Sequence, residues 1–445
     1  MANLWPALVC SRSILITVLI VLANTVVQAG TLTIVHSFAN SPHDGRAPMA
    51  GVVIGPGGVL YGTTYYGGAG NCGTVFSLTP PAVPGDAWTR SMYSLPGTEP
   101  ACIGGSYPVA PLTIARGGAV LYGSTQFGGN CPGGTIFELR PPTASEAWAE
   151  NVLLNACAGS ELVGPNSSPV VGSNGVLYAT ILGGFESKGR VLSLTPPASP
   201  GGSWPATTLH TFTGGSDGLR PNGVALGSNG QLYGTTEAGG TGPCYGDFSG
   251  CGTIFSLTPP QIPGGPWVET ILHNFTGRIG DGTVPLGGVL VDNSGALFGT
   301  ASSGSDGSVG NNCSEGCGAV WSMIPPGSSG EGKFSVLYQF TGVLNGDGAM
   351  PTGGLTAVNG VLYGTTQWGG LPGCFLEQGC GTIFSLTPPA SPGGSWTEAV
   401  LYSFKNAADG ATPNGSLAVD GNGVLYGTTQ EGGAFNEGTV FSLTP

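Results

Sequence analysis

Five aspartates stand in one recurring phrase, Asp-Gly-x-x-Pro, at Asp44, Asp217, Asp281, Asp347 and Asp409. Two chemistries are open to carboxylates repeated in this way. Gathered at one rim, they would hold a calcium ion through hard oxygen ligands. Paired about 5–5.5 Å or about 6.5–9.5 Å apart, they would serve a retaining or an inverting glycosidase. Asp217, Asp281 and Asp347 are the candidates for that pairing. The structural use is simpler: each Asp accepts a backbone N–H and closes its own turn. The turn reading is favoured, because the two matching positions that lack Asp carry Gly104 and Pro165. Those two loops hold Cys102 and Cys157, so a bridge replaces the capped turn there.

The remaining polar candidates point away from catalysis. His36, His210 and His273 occupy a repeat position that Tyr93, Tyr338 and Tyr402 share, which marks it as structural. His43 stands alone beside Asp44 as a solvated loop residue. No nucleophile elbow, H-E-x-x-H phrase or phosphate-cradling glycine loop occurs. No catalytic residue is assigned, and no cofactor is expected, calcium being the one ion considered. Aromatic residues carry the better lead. Tyr65, Tyr66, Phe127, Tyr245, Phe248, Trp368 and Phe375, with Phe435, lie in or beside variable loops poor in charge. Exposed rings suit stacking on sugar faces or docking a protein.

These residues hang on a repeat. The phrase Leu-Tyr-Gly-Thr-Thr and its variants begin at Leu60, Leu121, Leu177, Leu232, Leu297, Leu362 and Leu425, with spacings of 61, 56, 55, 65, 65 and 63 residues. A second phrase, Gly-Thr-Val/Ile-Phe-Ser-Leu-Thr-Pro, follows each, starting at Gly73, Gly134, Gly189, Gly252, Gly318, Gly381 and Gly438. Each unit contains four short strand-like segments bounded by Gly, Pro and Asn. Four antiparallel strands repeated seven times predict an all-β, seven-bladed β-propeller. A solenoid coil is usually much shorter than this period.

The ends of the chain answer the closure problem. Residues 31–38 match the fourth segment of the internal units, and the last unit ends after its third segment. The leading strand is therefore expected to complete the last blade and seal the ring. Antiparallel order then sets the second-to-third-strand loops and the inter-blade loops on one face. The opposite turns, such as Thr-Pro-Pro-Ala-Ser-Pro-Gly-Gly-Ser-Trp, are monotonous scaffold. Variation concentrated on one face of a repeat fold marks the binding face.

Both phrases resemble the Gloeo/Verruco tandem repeat of exported bacterial proteins, over roughly residues 31–445. The Gly-Gly after the second strand and the Trp before the fourth are similar to kelch repeats, a weaker likeness. The resemblance implies a secreted, propeller-like array, often followed by a C-terminal anchoring module, and implies no particular activity. The chain stops at Pro445, which points to release.

Bulk properties bound the rest. The 445 residues include 83 Gly and 36 Pro, and only 8% are charged. A formal charge of −13 without a basic stripe excludes nucleic acid and disfavours anionic membranes. Residues 1–29 have the charge, apolar run and small-residue site of a secretory signal peptide, leaving 30–445 as one propeller domain without a membrane span. Ten cysteines follow it, an even number that suits an oxidising compartment. Cys244 with Cys251, Cys313 with Cys317 and Cys374 with Cys380 share loops. Cys72 with Cys102 and Cys131 with Cys157 are the natural remaining pairs. The reading is an extracellular monomer, with the periplasm or cell surface as alternatives. It binds a glycan or an extracellular protein, with a secreted glycoside hydrolase or polysaccharide lyase as the rival.

Overall fold

The computed structural model describes residues 30–445 apart from 40, 116, 144, 158–163, 184–187, 200, 245–249, 263, 278–280, 305–312, 314–315, 328–331, 375–377 and 392. The leader, residues 1–29, lies outside the described residues. The expected seven antiparallel blades are present and form a propeller ring. Blade 1 consists of Val53–Ile54, Leu60–Thr64, Thr74–Thr79 and Thr89–Ser94, in order from the channel outward. Blades 2 to 6 repeat this order.

Blade 7 is stitched from both ends of the chain. Thr31–Ser37 pairs antiparallel with Thr439–Thr444, in register from Thr31 opposite Thr444 to Ser37 opposite Thr439. Phe38 then buries completely against Val52, Leu60 and Phe76. The leading strand is thus fixed by a ladder on one side and by core packing at its end.

The repeated residues divide the labour. Leu60, Leu121, Leu177, Leu232, Leu297 and Leu425 are fully buried. The Gly two residues on lies beneath an aromatic ring of the third strand, as with Gly62 under Phe76. The last Thr of the phrase bonds the first Thr of the next: Thr64 to Thr74, Thr125 to Thr135, Thr236 to Thr253, Thr366 to Thr382 and Thr429 to Thr439, all at 2.7–2.9 Å. In the two degenerate blades both partners change together, to Ile181 opposite Arg190 and Ala301 opposite Ala319.

The preceding hydroxyl stitches each blade to the next. Thr63, Ser124, Thr235, Thr300, Thr365 and Thr428 donate to carbonyls of Ala110, Ser167, Pro285, Gly353, Gly415 and Ala50. Those acceptors lead into or line the central channel, so six seams are closed near the axis. At the periphery, the Trp of a scaffold turn packs on the second-strand Tyr or Phe of the preceding blade. Trp88 meets Tyr426, Trp204 meets Tyr122, Trp267 meets Tyr178 and Trp396 meets Phe298.

Five disulfides join Cys72 to Cys102, Cys131 to Cys157, Cys244 to Cys251, Cys313 to Cys317 and Cys374 to Cys380. The first two tie a second-to-third-strand loop to the following inter-blade loop, which sets both loop sets on one face. Among the described residues no helix is long and apolar enough to cross a membrane. The disulfides are consistent with an extracellular or periplasmic protein.

Candidate ligand-binding face

The residue before each inner-strand Pro stands at the mouth of the channel. It is Ala47, Tyr107, Gly164, Arg220, Val284, Met350 or Thr412 in turn. Six of these seven have positive φ without being Gly, for example 60° at Tyr107 and 52° at Val284. L-residues rarely adopt this backbone, and it persists only where neighbours over-determine it. Here a backbone hydrogen bond from the residue itself helps to hold it: Tyr107 N–H donates to the Cys72 carbonyl and Arg220 N–H to that of Lys188. The backbone is a device of the fold. What differs from blade to blade is the side chain it presents, so the rim is where this chain's individuality lies.

At blades 1 and 2 the rim is aromatic. Tyr65 and Tyr107 stack with centroids 4.7 Å apart and planes 13° from parallel. Tyr66 meets both edge-on, at 4.6 and 5.4 Å, and Phe127 meets Tyr107 at 5.9 Å. All four rings are half-buried. The Arg46 guanidinium lies 4.8 Å from the Tyr66 centroid, a cation–π contact.

A polar pocket adjoins the rings. It has a volume of ≈ 430 Å³ and is bordered by Asp44, Arg46, Asn71 and Glu99 over a floor of glycines that includes Gly67, Gly68 and Gly70. Arg46 donates to Asn71 Oδ1 at 3.1 Å, and Asn71 Nδ2 donates to Glu99 Oε2 at 2.6 Å. The Tyr107 hydroxyl donates to the other oxygen of Glu99. Those two hydrogen bonds hold the Glu99 carboxyl below its ordinary range, so it is an anionic acceptor. The same bond to Glu99 pushes the Tyr107 hydroxyl upward and keeps it a donor.

The sequence candidates therefore part company. Tyr65, Tyr66 and Phe127 come together, and Tyr107 joins them from the next blade. Trp368 instead packs on the core shared by blades 5 and 6, which contains Phe340, Leu355 and Phe384. Phe435 is 60% exposed on the loop of blade 7. Tyr245, Phe248 and Phe375 lie outside the described residues. Tyr107, Arg46, Asn71 and Glu99 were missed. The left-handed position of Tyr107 was readable only as the residue before a repeated Pro.

The aspartates of the Asp-Gly-x-x-Pro phrase sit in separate inter-blade seams. Each accepts from the outer-strand His or Tyr of its own blade: Asp44 from His36, Asp217 from His210, Asp281 from His273, Asp347 from Tyr338 and Asp409 from Tyr402. Each also accepts backbone N–H groups, such as Ala39 to Asp44 and Thr341 to Asp347. Asp44 faces competing influences: burial works to raise it, but His36 and Arg90, at 2.7 Å, outweigh that and hold it low. In blades 2 to 7 a register shift in the outer strand falls near the His/Tyr position. Such bulges re-aim a side chain, in blades 3 to 7 toward the Asp. Blade 1 has none, and Tyr93 reaches Glu150 of blade 2 at 3.1 Å.

The channel itself offers a cavity of ≈ 290 Å³, walled by neutral residues such as Met49, Asn166, Asn222, Leu286, Thr352 and Asn414. Among the described residues its lining includes no acidic, basic or histidine side chain.

The sequence profile of the Gloeobacter/Verrucomicrobia repeat matches residues 146–370 and 307–445. The chain belongs to this repeat family. Among curated proteins none matches significantly. The Gloeobacter/Verrucomicrobia repeat chain is also similar in fold to solved structures. One is a fungal alcohol oxidase of the AA5 family, at 13% identity and a TM-score of 0.52, covering 94% of this chain and 76% of the oxidase. A puromycin hydrolase gives 13% and 0.51, covering 87% of this chain and 50% of the hydrolase. The extracellular domain of a one-component system from B. thetaiotaomicron gives 8% and 0.51, covering 92% of this chain and 39% of that one. At these identities the likeness is one of fold.

Proposed function

We propose that this protein is a secreted binding module that holds a glycan on the loop face at blades 1 and 2. The observation that carries the reading is the half-buried stack of Tyr65 and Tyr107 beside the pocket of Arg46, Asn71 and Glu99. Sugars present an apolar C–H face and a rim of hydroxyls. Aromatic rings match the first, and an anionic acceptor with fixed amide and guanidinium donors matches the second.

A hydrolytic reading is the weaker one. Asp217, Asp281 and Asp347 are each spent on a turn and on the His or Tyr of their own seam. A glycan array probed with the folded, oxidised protein tests the proposal. Binding to a defined set of oligosaccharides, lost with Tyr107→Ala and Tyr65→Ala, supports it. Absence of binding across the array, or binding indifferent to both substitutions, overturns it.

A further inference from the structure

We propose that the seam between blades 3 and 4 is a binding site for a divalent transition-metal ion of the zinc type, held by His210, Asp217 and Glu269. Among the described residues these are the one group of three or more potential metal ligands, with ligand atoms all within 4.8 Å of one another. His210 Nε2 lies 3.1 Å from Asp217 Oδ1 and 3.8 Å from Glu269 Oε1. One imidazole and two carboxylates make a donor set that zinc accepts, leaving a fourth position for water. The side chains are 15–20% exposed, so an ion has a route in.

Two observations set this seam apart as a place for a cation. Glu269 Oε1 is buried and has no hydrogen-bond partner, as Glu150 Oε1 and Glu398 Oε1 have none at the same register, but here alone among the three an imidazole nitrogen lies 3.8 Å away. A buried acceptor left bare is costly, and a cation satisfies it. The second observation comes from the other seams, which are internal controls. At the matching register Arg90 neutralises Asp44, and Phe334 stacks on His273 at 3.7 Å. Glu398 lies opposite Tyr338 and Asp347, where the phenol replaces the imidazole. Among the described residues only the seam of blades 3 and 4 combines His, Asp and Glu.

At this seam Trp267 packs on Tyr178 at the periphery as elsewhere, but the axial hydroxyl stitch of the other six seams is missing among the described residues. The hydroxyl of Thr180, at the stitching position, is bonded to Ser167 of its own blade at 2.7 Å rather than to blade 4. The second-to-third-strand loop of blade 3 has no cysteine. Near the axis an Asn166–Asn222 hydrogen bond of 3.3 Å links the two blades. His210 and Asp217 belong to the outer strand and loop of blade 3, and Glu269 to the outer strand of blade 4. A bound ion would therefore cross-link the two blades at the rim, where binding to the folded state adds stability by mass action.

The test is calorimetric titration of the chelator-stripped, folded protein with zinc chloride at pH 7.5, alongside thermal melts with and without zinc. The expected result is one tight equivalent and a melting temperature raised by a few degrees. His210→Tyr and Glu269→Gln should each weaken that equivalent at least tenfold. His273→Tyr and Glu398→Gln should leave it intact. Circular dichroism establishes that each variant is folded, so a lost equivalent reports the site. Absence of binding by folded wild-type protein, or zinc binding unchanged in His210→Tyr and Glu269→Gln, overturns the proposal.

Discussion

The ring of Phe76 covers Gly62 so closely that a methyl group at residue 62 would stand 2.4 Å from its Cζ. The same contact recurs between Gly123 and Phe137, Gly234 and Phe255, Gly299 and Trp321, Gly364 and Phe384, and Gly427 and Phe441, at 2.3–2.6 Å. Blade 3 breaks both halves of the rule at once, with Ala179 beneath Leu192. The repeated Gly is therefore a seat for a ring. Gly62→Ala should cost about 1–3 kcal/mol by overpacking. Adding Phe76→Leu, the blade 3 combination, should recover part of it. Urea denaturation of both singles and the double gives the coupling, and strictly additive losses would contradict this packing account.

Closure through the first strand makes a sharp claim about Phe38. The side chain is fully buried in the seam of blades 7 and 1. Phe38→Ala should lose about 3–5 kcal/mol, while Val268→Ala, 58% exposed, should stay within about 0.5 kcal/mol. Equilibrium unfolding of the two variants measures the contrast. A near-neutral Phe38→Ala would mean that the leading strand is dispensable.

The disulfides should differ in weight. Cys72–Cys102 closes a separation of 30 residues and Cys313–Cys317 one of 4. Chain entropy then assigns roughly 3.5 kcal/mol to the first and roughly 2 kcal/mol to the second. Paired Cys-to-Ser variants, compared by denaturant midpoint at equal slope, test that order.

Two seam glutamates set a pH dependence. Burial pushes the Glu150 carboxyl up to about 7, with the Tyr93 hydroxyl pulling the other way. Burial and the neighbouring Asp347 push Glu398 up to about 8. A carboxyl raised in the folded state contributes stability that is present below its unfolded value, 4.5, and lost as pH rises through the folded one. Glu150→Gln should thus leave stability at pH 4 almost unchanged. At pH 8 it should gain on the order of 2 kcal/mol over wild type. Melting curves across that interval read the difference, and a variant less stable at pH 8 would refute it.

The ring, its closure and its loop face were all legible in the sequence, because one phrase pair repeats with its turn residues intact. Single blades were harder. Trp368 and Tyr66 occupy the same place in their phrases, but Tyr66 lies beside Arg46, while Trp368 pairs with Ala349 and turns into core. That difference is set by a partner some twenty residues upstream, which the phrase itself does not reveal. Tyr107 escaped notice because it lies in no repeated phrase and reaches Tyr65 only through the curvature of the ring. The Asp-Gly-x-x-Pro aspartates were read as turn caps, and each does accept backbone N–H groups. Their second partner, the outer-strand His or Tyr, depends on a bulge that residue types do not announce.

The central claim is that ligand is held at blades 1 and 2. Hydrogen–deuterium exchange with the best array oligosaccharide, compared with free protein, tests it most directly. The account predicts slowed exchange confined to residues 65–71 and 98–107, with 239–244 and 367–374 unchanged. Protection at those opposite loops, or at channel residues 414–416, with none at 65–71, would contradict it.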